Sequence, residues 1–81
     1  MIITDADRRE VLARYRRIRT SSPVPPVVAM QVLADSIGDT IRAVLLDRCE
    51  PDPRLIRQWQ AATDYRHCMY LRPAYWRRWP A

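Results

Sequence analysis

Arginine supplies all of the cationic side chains of this 81-residue chain, which has fourteen basic residues and no lysine. A guanidinium group forms paired hydrogen bonds with phosphates, carboxylates and the edge of guanine, so an arginine surplus suits an anionic partner. A GC-rich coding sequence would also produce arginine in place of lysine. Arg42 and Arg48 are the main candidates for contacts in a DNA groove. The alternative is that each pairs with a nearby aspartate, such as Asp39 or Asp47.

Two further polar residues accompany these arginines. The Gln31 amide can donate a hydrogen bond to a phosphate, and the Thr40 hydroxyl can contact a phosphate or a base. A solvent-facing glutamine and a helix-capping threonine are the alternatives. The predicted DNA-contacting set is therefore Gln31, Thr40, Arg42 and Arg48.

Catalytic and metal-binding chemistry has little support in the sequence. His67 and Cys68 are adjacent, so on a helix their side chains point about 100° apart and do not readily pair as base and nucleophile. Cys49 and Cys68 form no Cys-x-x-Cys motif, and the chain has a single histidine, so the pattern does not predict a zinc site. We therefore expect two free thiols, no cofactor or metal, and no enzymatic activity.

Length and composition predict one helical domain over residues 1–81. Hydrophobic residues make up 48% of the chain and charged residues 28%, which is typical of a folded soluble domain. The sequence has no apolar run long enough to cross a membrane and no basic-then-apolar leader, so we expect a cytoplasmic protein. The net charge of +5 is uneven: residues 1–22 carry +3, residues 23–52 carry −3 and residues 53–81 carry +5.

Capping residues and prolines divide the chain into helices. Thr4 predicts the start of a first helix over residues 5–19. The prolines of the TSSPVPP stretch interrupt it, and Pro26 suits the first turn of a second helix. An Asp-Pro pair at 52–53 predicts the start of another helix, over residues 53–63. The apolar pattern predicts that its buried side carries Leu55, Ile56, Trp59, Ala62 and Thr63.

The segment LADSIGDTIRAV, residues 33–44, has two interpretations. Apolar residues recur every three or four positions, which predicts one continuous helix over 27–49 in which Gly38 costs about 1 kcal/mol. The alternative is two short helices that cross at a turn. In that arrangement Gly38 tolerates a positive φ angle, Ala34 allows the helices to approach closely, and Val44 lies beyond the crossing.

The order of these turn residues resembles the helix-turn-helix of Cro/YdaS-type regulators of phages and prophages. The resemblance covers residues 30–81, because the C-terminal third also matches. Prolines follow the expected recognition helix, an Ala-Ala-Thr turn follows the next helix, and a Leu-Arg-Pro segment precedes two tryptophans. The matching residues are Pro51, Pro53, Ala61, Ala62, Thr63, Leu71, Arg72, Pro73, Trp76 and Trp79.

The resemblance implies an all-α fold of four to five short helices around a helix-turn-helix. The alternative fold is a helical bundle with one continuous helix over residues 27–49. Two positions depart from the family's pattern, because Asp39 and Asp47 stand where apolar residues are common.

The expected recognition helix, residues 39–48, also lies in the acidic part of the chain. Three of its outward positions are aliphatic, which is poor for reading base edges. Aliphatic and tryptophan side chains are instead suited to a protein interface. The predicted surface for a partner or dimer is Ile41, Leu45, Leu46, Trp76 and Trp79.

Two functions therefore stay open. The first is a sequence-specific DNA-binding regulator, a Cro-like repressor of a phage or mobile element that occupies a promoter as a homodimer on double-stranded DNA. The second is a small phage-encoded helical protein that binds and inhibits a host protein or defence complex. A continuous helix through Gly38 would favour the second function, because the turn is what presents a recognition helix.

Overall fold

A computed structural model describes residues 2–71 of the chain, and these residues form three helices. Helix α1 spans Asp5–Ser21, α2 spans Pro26–Leu46 and α3 spans Pro53–Leu71. Each helix contacts the other two, and α2 and α3 share the largest interface. The expected all-helical fold is confirmed for the described range, in which no strand forms.

Helix α1 begins with a capping box whose carboxylate also accepts a hydrogen bond from α3. The Thr4 hydroxyl accepts a hydrogen bond from the Asp7 amide at 3.2 Å, and the Asp7 carboxylate accepts one from the Thr4 amide at 3.0 Å. This confirms Thr4 as the cap. The same carboxylate oxygen accepts a hydrogen bond from Nε of Arg57 at 2.9 Å, although Asp7 is only 4% exposed. One carboxylate therefore stabilises the start of α1 and ties it to α3.

The electrostatic surroundings of Asp7 favour its charged form. Burial raises the pKa of the Asp7 carboxyl, but hydrogen bonds from Thr4 and from Arg57 together outweigh burial and hold the pKa below its ordinary value of 3.8.

Helix α2 passes through Gly38 without interruption, so the predicted turn is wrong. Ala34, Gly38 and Val44 all lie within one helix, and no glycine in residues 2–71 has a positive φ angle. The reason for the glycine is steric. A Cβ atom at Gly38 would lie 3.2 Å from Nε1 and 3.5 Å from Cδ1 of the Trp59 indole. The glycine serves the close approach of α3, and the continuous-helix alternative is the one that forms.

The C-terminal end of α2 explains the position of Arg48. The Arg48 amide donates to the Leu45 carbonyl at 2.9 Å, and the Cys49 amide donates to the Val44 carbonyl at 3.1 Å. These two bonds form a Schellman motif, in which the residue after the cap adopts a left-handed conformation. Arg48 has φ 58° and is the one non-glycine residue with positive φ in the described range. The backbone at Arg48 therefore serves helix termination.

Helix α3 starts where the sequence predicts and ends later. The Asp52 carboxylate accepts a hydrogen bond from the Arg54 amide at 2.9 Å, which confirms the Asp-Pro start signal. The helix then continues to Leu71 rather than stopping at residue 63.

The face that α3 buries differs in part from the predicted one. Trp59 is 39% exposed, and Leu55, Ile56 and Thr63 are half-buried, whereas Ala62 is buried as expected. Polar Gln58 is buried instead. The residues that α3 buries are Gln58, Ala61, Ala62, Tyr65 and Cys68.

The three helices of residues 2–71 are fewer than the four to five that the family resemblance implies. Helix α2 is not divided at Gly38, and α3 continues through the Ala-Ala-Thr sequence that was expected to form a turn. The segment after residue 71, which includes Trp76 and Trp79, lies outside the described residues.

The hydrophobic core lies where the three helices meet. Val11, Met30, Leu33 and Ile37 have the largest fully buried side chains. The remaining buried members of the core are Leu12, Tyr15, Ala29, Ala34, Ala61, Ala62 and Tyr65. The buried core residues of α2 thus lie in its N-terminal two thirds. In the C-terminal third, Ile41 packs against the core, whereas Leu45 and Leu46 are exposed.

We expect Asp7→Asn to lower the free energy of unfolding at neutral pH by about 2 kcal/mol, because the substitution removes the charge-assisted hydrogen bonds of a buried carboxylate. The folded-state pKa lies below the unfolded value. The stabilisation is therefore fully present above about pH 5 and decreases as the pH falls through 3.8 and below. Urea denaturation of both proteins between pH 7 and pH 3 measures the difference. A difference that stays constant over this range would contradict the role of the charge.

Candidate functional site

The four residues predicted to contact DNA do not form one polar surface. Gln31 and Arg42 lie on the same side of α2, about 16 Å apart along the axis. Gln31 donates to Asp35 at 2.7 Å, and Arg42 lies 3.8 Å from Asp39. The Thr40 hydroxyl donates to the backbone carbonyl of Ser36 at 3.1 Å, and Arg48 lies beyond the helix end. Carboxylates therefore stand between the two residues that share a face.

The alternative prediction for Arg42 is an ion pair with a nearby aspartate. This pair forms with Asp39, although both side chains are about three-quarters exposed. Exposed ion pairs of this kind contribute little to stability. Arg48 forms no ion pair within residues 2–71, so pairing with Asp47 is not observed. The acidic neighbours reduce the attraction of this face for phosphate.

A groove runs between the C-terminal half of α2 and the N-terminal half of α3. Seven residues of α2 line one side, and four of them are apolar and follow a helical spacing. Residues of α3 and of the α2–α3 connection line the other side. The groove has a volume of about 780 Å³. Its apolar lining consists of Ala34, Gly38, Ile41, Leu45, Pro51, Ile56 and Trp59.

Trp59 lines this groove, and its close approach to α2 requires the absence of a side chain at Gly38. Because Gly38 has no side chain, the pyrrole edge of the indole lies directly against the α2 backbone. Trp59 as a whole is 39% exposed. The helices therefore approach closely at this point, and part of the aromatic surface faces outward between them.

Two residues of the predicted partner surface line the groove. Ile41 is half-buried and Leu45 is 56% exposed, and both line the groove. Leu46 is 77% exposed and is the next residue along α2. Trp76 and Trp79 lie outside the described residues, so their relation to this surface stays a prediction.

The rim of the groove is acidic. Asp35 and Asp39 line it on the α2 side, with Arg42 as the one basic lining residue. Three further acidic residues follow in the α2 end and the α2–α3 connection, and all are exposed: Asp47, Glu50 and Asp52. A cationic ligand would therefore be attracted to this end of the molecule.

A second cavity lies at the opposite end of the helices and has a different electrostatic character. It has a volume of about 910 Å³, and Arg16 and Arg19 line it together with apolar side chains from all three helices. Tyr15 and Tyr65 face each other there with ring centroids 5.9 Å apart. Burial raises the pKa of the Tyr65 hydroxyl to about 12, and the Tyr15 hydroxyl adds to the shift. This hydroxyl is therefore neutral near pH 7.

The outer surface of α1 is strongly basic. Arg9 and Arg16 lie two turns apart on one side, with Arg17 beside them, and all three are exposed. None of the three forms an ion pair with a carboxylate in residues 2–71. The charged residues therefore separate into a basic α1 surface and an acidic groove.

The described residues offer no arrangement for catalysis at His67 and Cys68. Cys68 is buried, whereas the neighbouring His67 is exposed. No three His, Cys, Asp or Glu side chains within residues 2–71 are grouped so that they would hold a metal ion. No helix in the same range is both long and apolar enough to cross a bilayer.

Comparisons with known proteins give no relative: no family model, curated protein or solved structure matches this chain. The resemblance to Cro/YdaS-type regulators accordingly stays a hypothesis that depends on the sequence alone.

The sequence pattern indicates most of the α2 wall but not the groove. Ala34, Gly38, Ile41 and Leu45 follow a spacing of four, three and four residues, which is one stripe of a continuous helix. The turn interpretation assigned the first two to a helix crossing and so separated them from the others. Trp59 was assigned to the buried face of the next helix, and nothing in the local sequence indicates that it packs on Gly38.

We expect Gly38→Ala to stabilise the protein more when Trp59 is absent. Alanine adds about 1 kcal/mol of helix propensity, but its Cβ would press on the indole. In a Trp59→Ala background the substitution should therefore be more stabilising than in the native chain, by at least about 0.5 kcal/mol. Chemical denaturation of the four proteins gives this coupling free energy.

The exposed Thr40→Ala on the same helix is the control, and its effect should be equal in both backgrounds. A coupling of zero between positions 38 and 59 would contradict the packing of the indole on the glycine.

Proposed function

We propose that this chain is a helical binding protein whose groove between α2 and α3 takes up a segment of a partner protein. The observation that supports this most strongly is the exposure of large apolar side chains around one groove. Leu45, Leu46 and Trp59 are 56%, 77% and 39% exposed, and two of them line the groove. A small domain gains stability by burying such side chains, so a group of them at the surface is typical of an interaction site.

The partner segment that suits this groove is a basic amphipathic helix. An apolar groove between two helices accommodates the apolar side of a third, which inserts side chains at every third or fourth position. The aspartates of the rim, Asp35 and Asp39, favour arginine or lysine beside that apolar side. The apolar contacts would supply affinity, and the charges would set orientation and association rate.

A docking role also accounts for the weak polar character of the predicted recognition segment. Ile41 and Leu45 face the groove, where aliphatic side chains contribute by burial. A protein that covers a helix of its target prevents that helix from making its other contacts. Inhibition of a host protein, as proposed from the sequence, would follow from such masking.

The test uses two synthetic helical peptides that share their apolar residues and differ in charge, one lysine-rich and one glutamate-rich. We expect the native chain to bind the basic peptide, and Leu45→Asp to weaken binding at least tenfold, which corresponds to about 1.4 kcal/mol. Isothermal titration calorimetry measures both affinities. The matched control is Val32→Asp, because Val32 is an exposed aliphatic residue of α2 that does not line the groove.

Three results would contradict the docking proposal. The first is equal binding of both peptides, and the second is binding that Leu45→Asp leaves intact. The third is a loss of binding in Val32→Asp as large as in Leu45→Asp. Sedimentation of the free chain shows whether a second copy occupies the groove instead.

Nucleic-acid binding is a second candidate function, and the basic surface of α1 favours it. Arg9, Arg16 and Arg17 are exposed and have no carboxylate partner in the described range. Arginines in this arrangement contact phosphates without reading sequence. In this form of the proposal α1 faces the DNA backbone. The residues predicted from the sequence to contact DNA, which lie on α2 and just after it, do not make the main contacts.

We expect duplex DNA to bind with an affinity that falls as salt rises. Each lost phosphate contact reduces the slope of log affinity against log salt by about 0.9, so Arg16→Ala with Arg17→Ala should flatten it. Fluorescence anisotropy over a salt series measures the slope. Arg42→Ala is the control and should leave it unchanged. Absence of binding at low salt would contradict this candidate, and an effect of Arg42→Ala alone would favour the recognition segment on α2.

A further inference from the structure

The ten residues after α3 have the chemistry that the groove selects. The sequence RPAYWRRWPA contains the aromatic residues Tyr75, Trp76 and Trp79 together with three arginines, and it has no acidic residue. Aromatic and basic side chains in one short segment match an apolar groove with a carboxylate rim. The chain therefore carries its own candidate ligand.

The length of this segment is sufficient to reach the groove of the same chain. Trp59 lies twelve residues before the end of α3, which corresponds to about 18 Å along the helix. An extended chain spans about 3.3 Å per residue, so Trp76 and Trp79 can lie about 17 and 26 Å beyond Leu71. A segment that returned along α3 would thus be long enough to bring one or both tryptophans to Trp59.

Charge distinguishes between the two cavities that this segment can reach. The cavity near the end of α3 has Met69 in its lining but also Arg16 and Arg19. A segment with three arginines and no carboxylate is repelled there. The groove beside Trp59 has Asp35 and Asp39 at its rim, so it attracts the same segment.

We infer that residues 72–81 bind in the α2–α3 groove of their own chain and compete with the partner segment. This inference rests on the proposed docking function and adds a regulatory element to it. A segment tethered by a few residues has an effective concentration in the millimolar range, so weak contacts are enough to occupy the groove. A partner must displace it, which lowers the apparent affinity by the fraction of chains whose groove is open.

The test locates the segment by paramagnetic relaxation in the full chain. A spin label is attached to Ala81→Cys in a Cys49→Ser background, since Cys49 is the exposed native thiol and Cys68 is buried. We expect the label to remove most of the NMR signal of Ile41, Leu45 and Ile56 relative to its reduced form. Signals of Val27 and Met69, in the other cavity, should be retained. Loss at Val27 and Met69 alone, or no localised loss, would overturn the inference.

A charge reversal tests the reason for the choice of groove. Asp35→Arg should restore the signals of Ile41 and Leu45. Asp64→Arg, at another exposed aspartate that lies on α3 outside the groove, should not. Retention of the effect in Asp35→Arg would overturn the electrostatic argument. Mixing spin-labelled chains with isotope-labelled chains that carry no spin label detects binding between copies. Signal loss of equal size in that mixture would overturn binding within one chain.

These measurements need no partner, so they separate the two proposals. In one outcome the spin label affects the groove residues while no basic peptide binds, even in a Trp76→Ala, Trp79→Ala variant whose groove is free of residues 72–81. In that case only the docking proposal is wrong. If the peptide binds and the label has no local effect, self-occupation fails alone.

Discussion

The contact between Gly38 and Trp59 is the constraint on which the arrangement of α2 and α3 depends. Glycine in the middle of a helix costs about 1 kcal/mol relative to alanine, so α2 carries this cost at its centre. In return the indole lies 3.2 to 3.5 Å from the position that a Cβ atom would take, and the two helices approach closely there. Gly38 and Trp59 both line the groove, together with Ile41 and Leu45 further along α2. The missing side chain at position 38 is thus part of how the groove is formed.

Asp7 plays the corresponding role for α1. Its carboxylate accepts hydrogen bonds from Thr4 and from Arg57, so the start of α1 is fixed against the N-terminal part of α3. With that end fixed and with Val11 and Tyr15 in the core, the opposite side of α1 faces solvent. Arg9 lies on this side, and Arg16 and Arg17 lie on its two flanks. The separation of a basic surface from the acidic groove therefore follows from how the helices are anchored.

Local signals in the sequence predicted the helix starts and failed where long-range packing decides. The Thr4 cap and the Asp-Pro pair at 52–53 act within one turn, and both formed as expected. Gly38 is different, because a glycine that permits a turn and a glycine that admits a neighbouring indole look identical in a single sequence. The same limit explains Trp59, whose size predicts full burial although it packs on Gly38 with 39% of its surface exposed. Gln58, which is polar, is buried on the same helix together with Ala61, Ala62 and Tyr65.

A continuous α2 changes what its polar residues can do. In two crossed helices, Gln31 and Arg42 would belong to different helices. A turn between them would then present the second helix to DNA. On one straight helix they stand about 16 Å apart with aspartates between them, and these aspartates oppose phosphate. The same aspartates border exposed leucine and tryptophan surface, where an acidic rim beside apolar area attracts a basic amphipathic segment. The change from a DNA-reading face to a protein-docking groove is therefore a consequence of one unbroken run of backbone hydrogen bonds, since the residue types are the same in both cases.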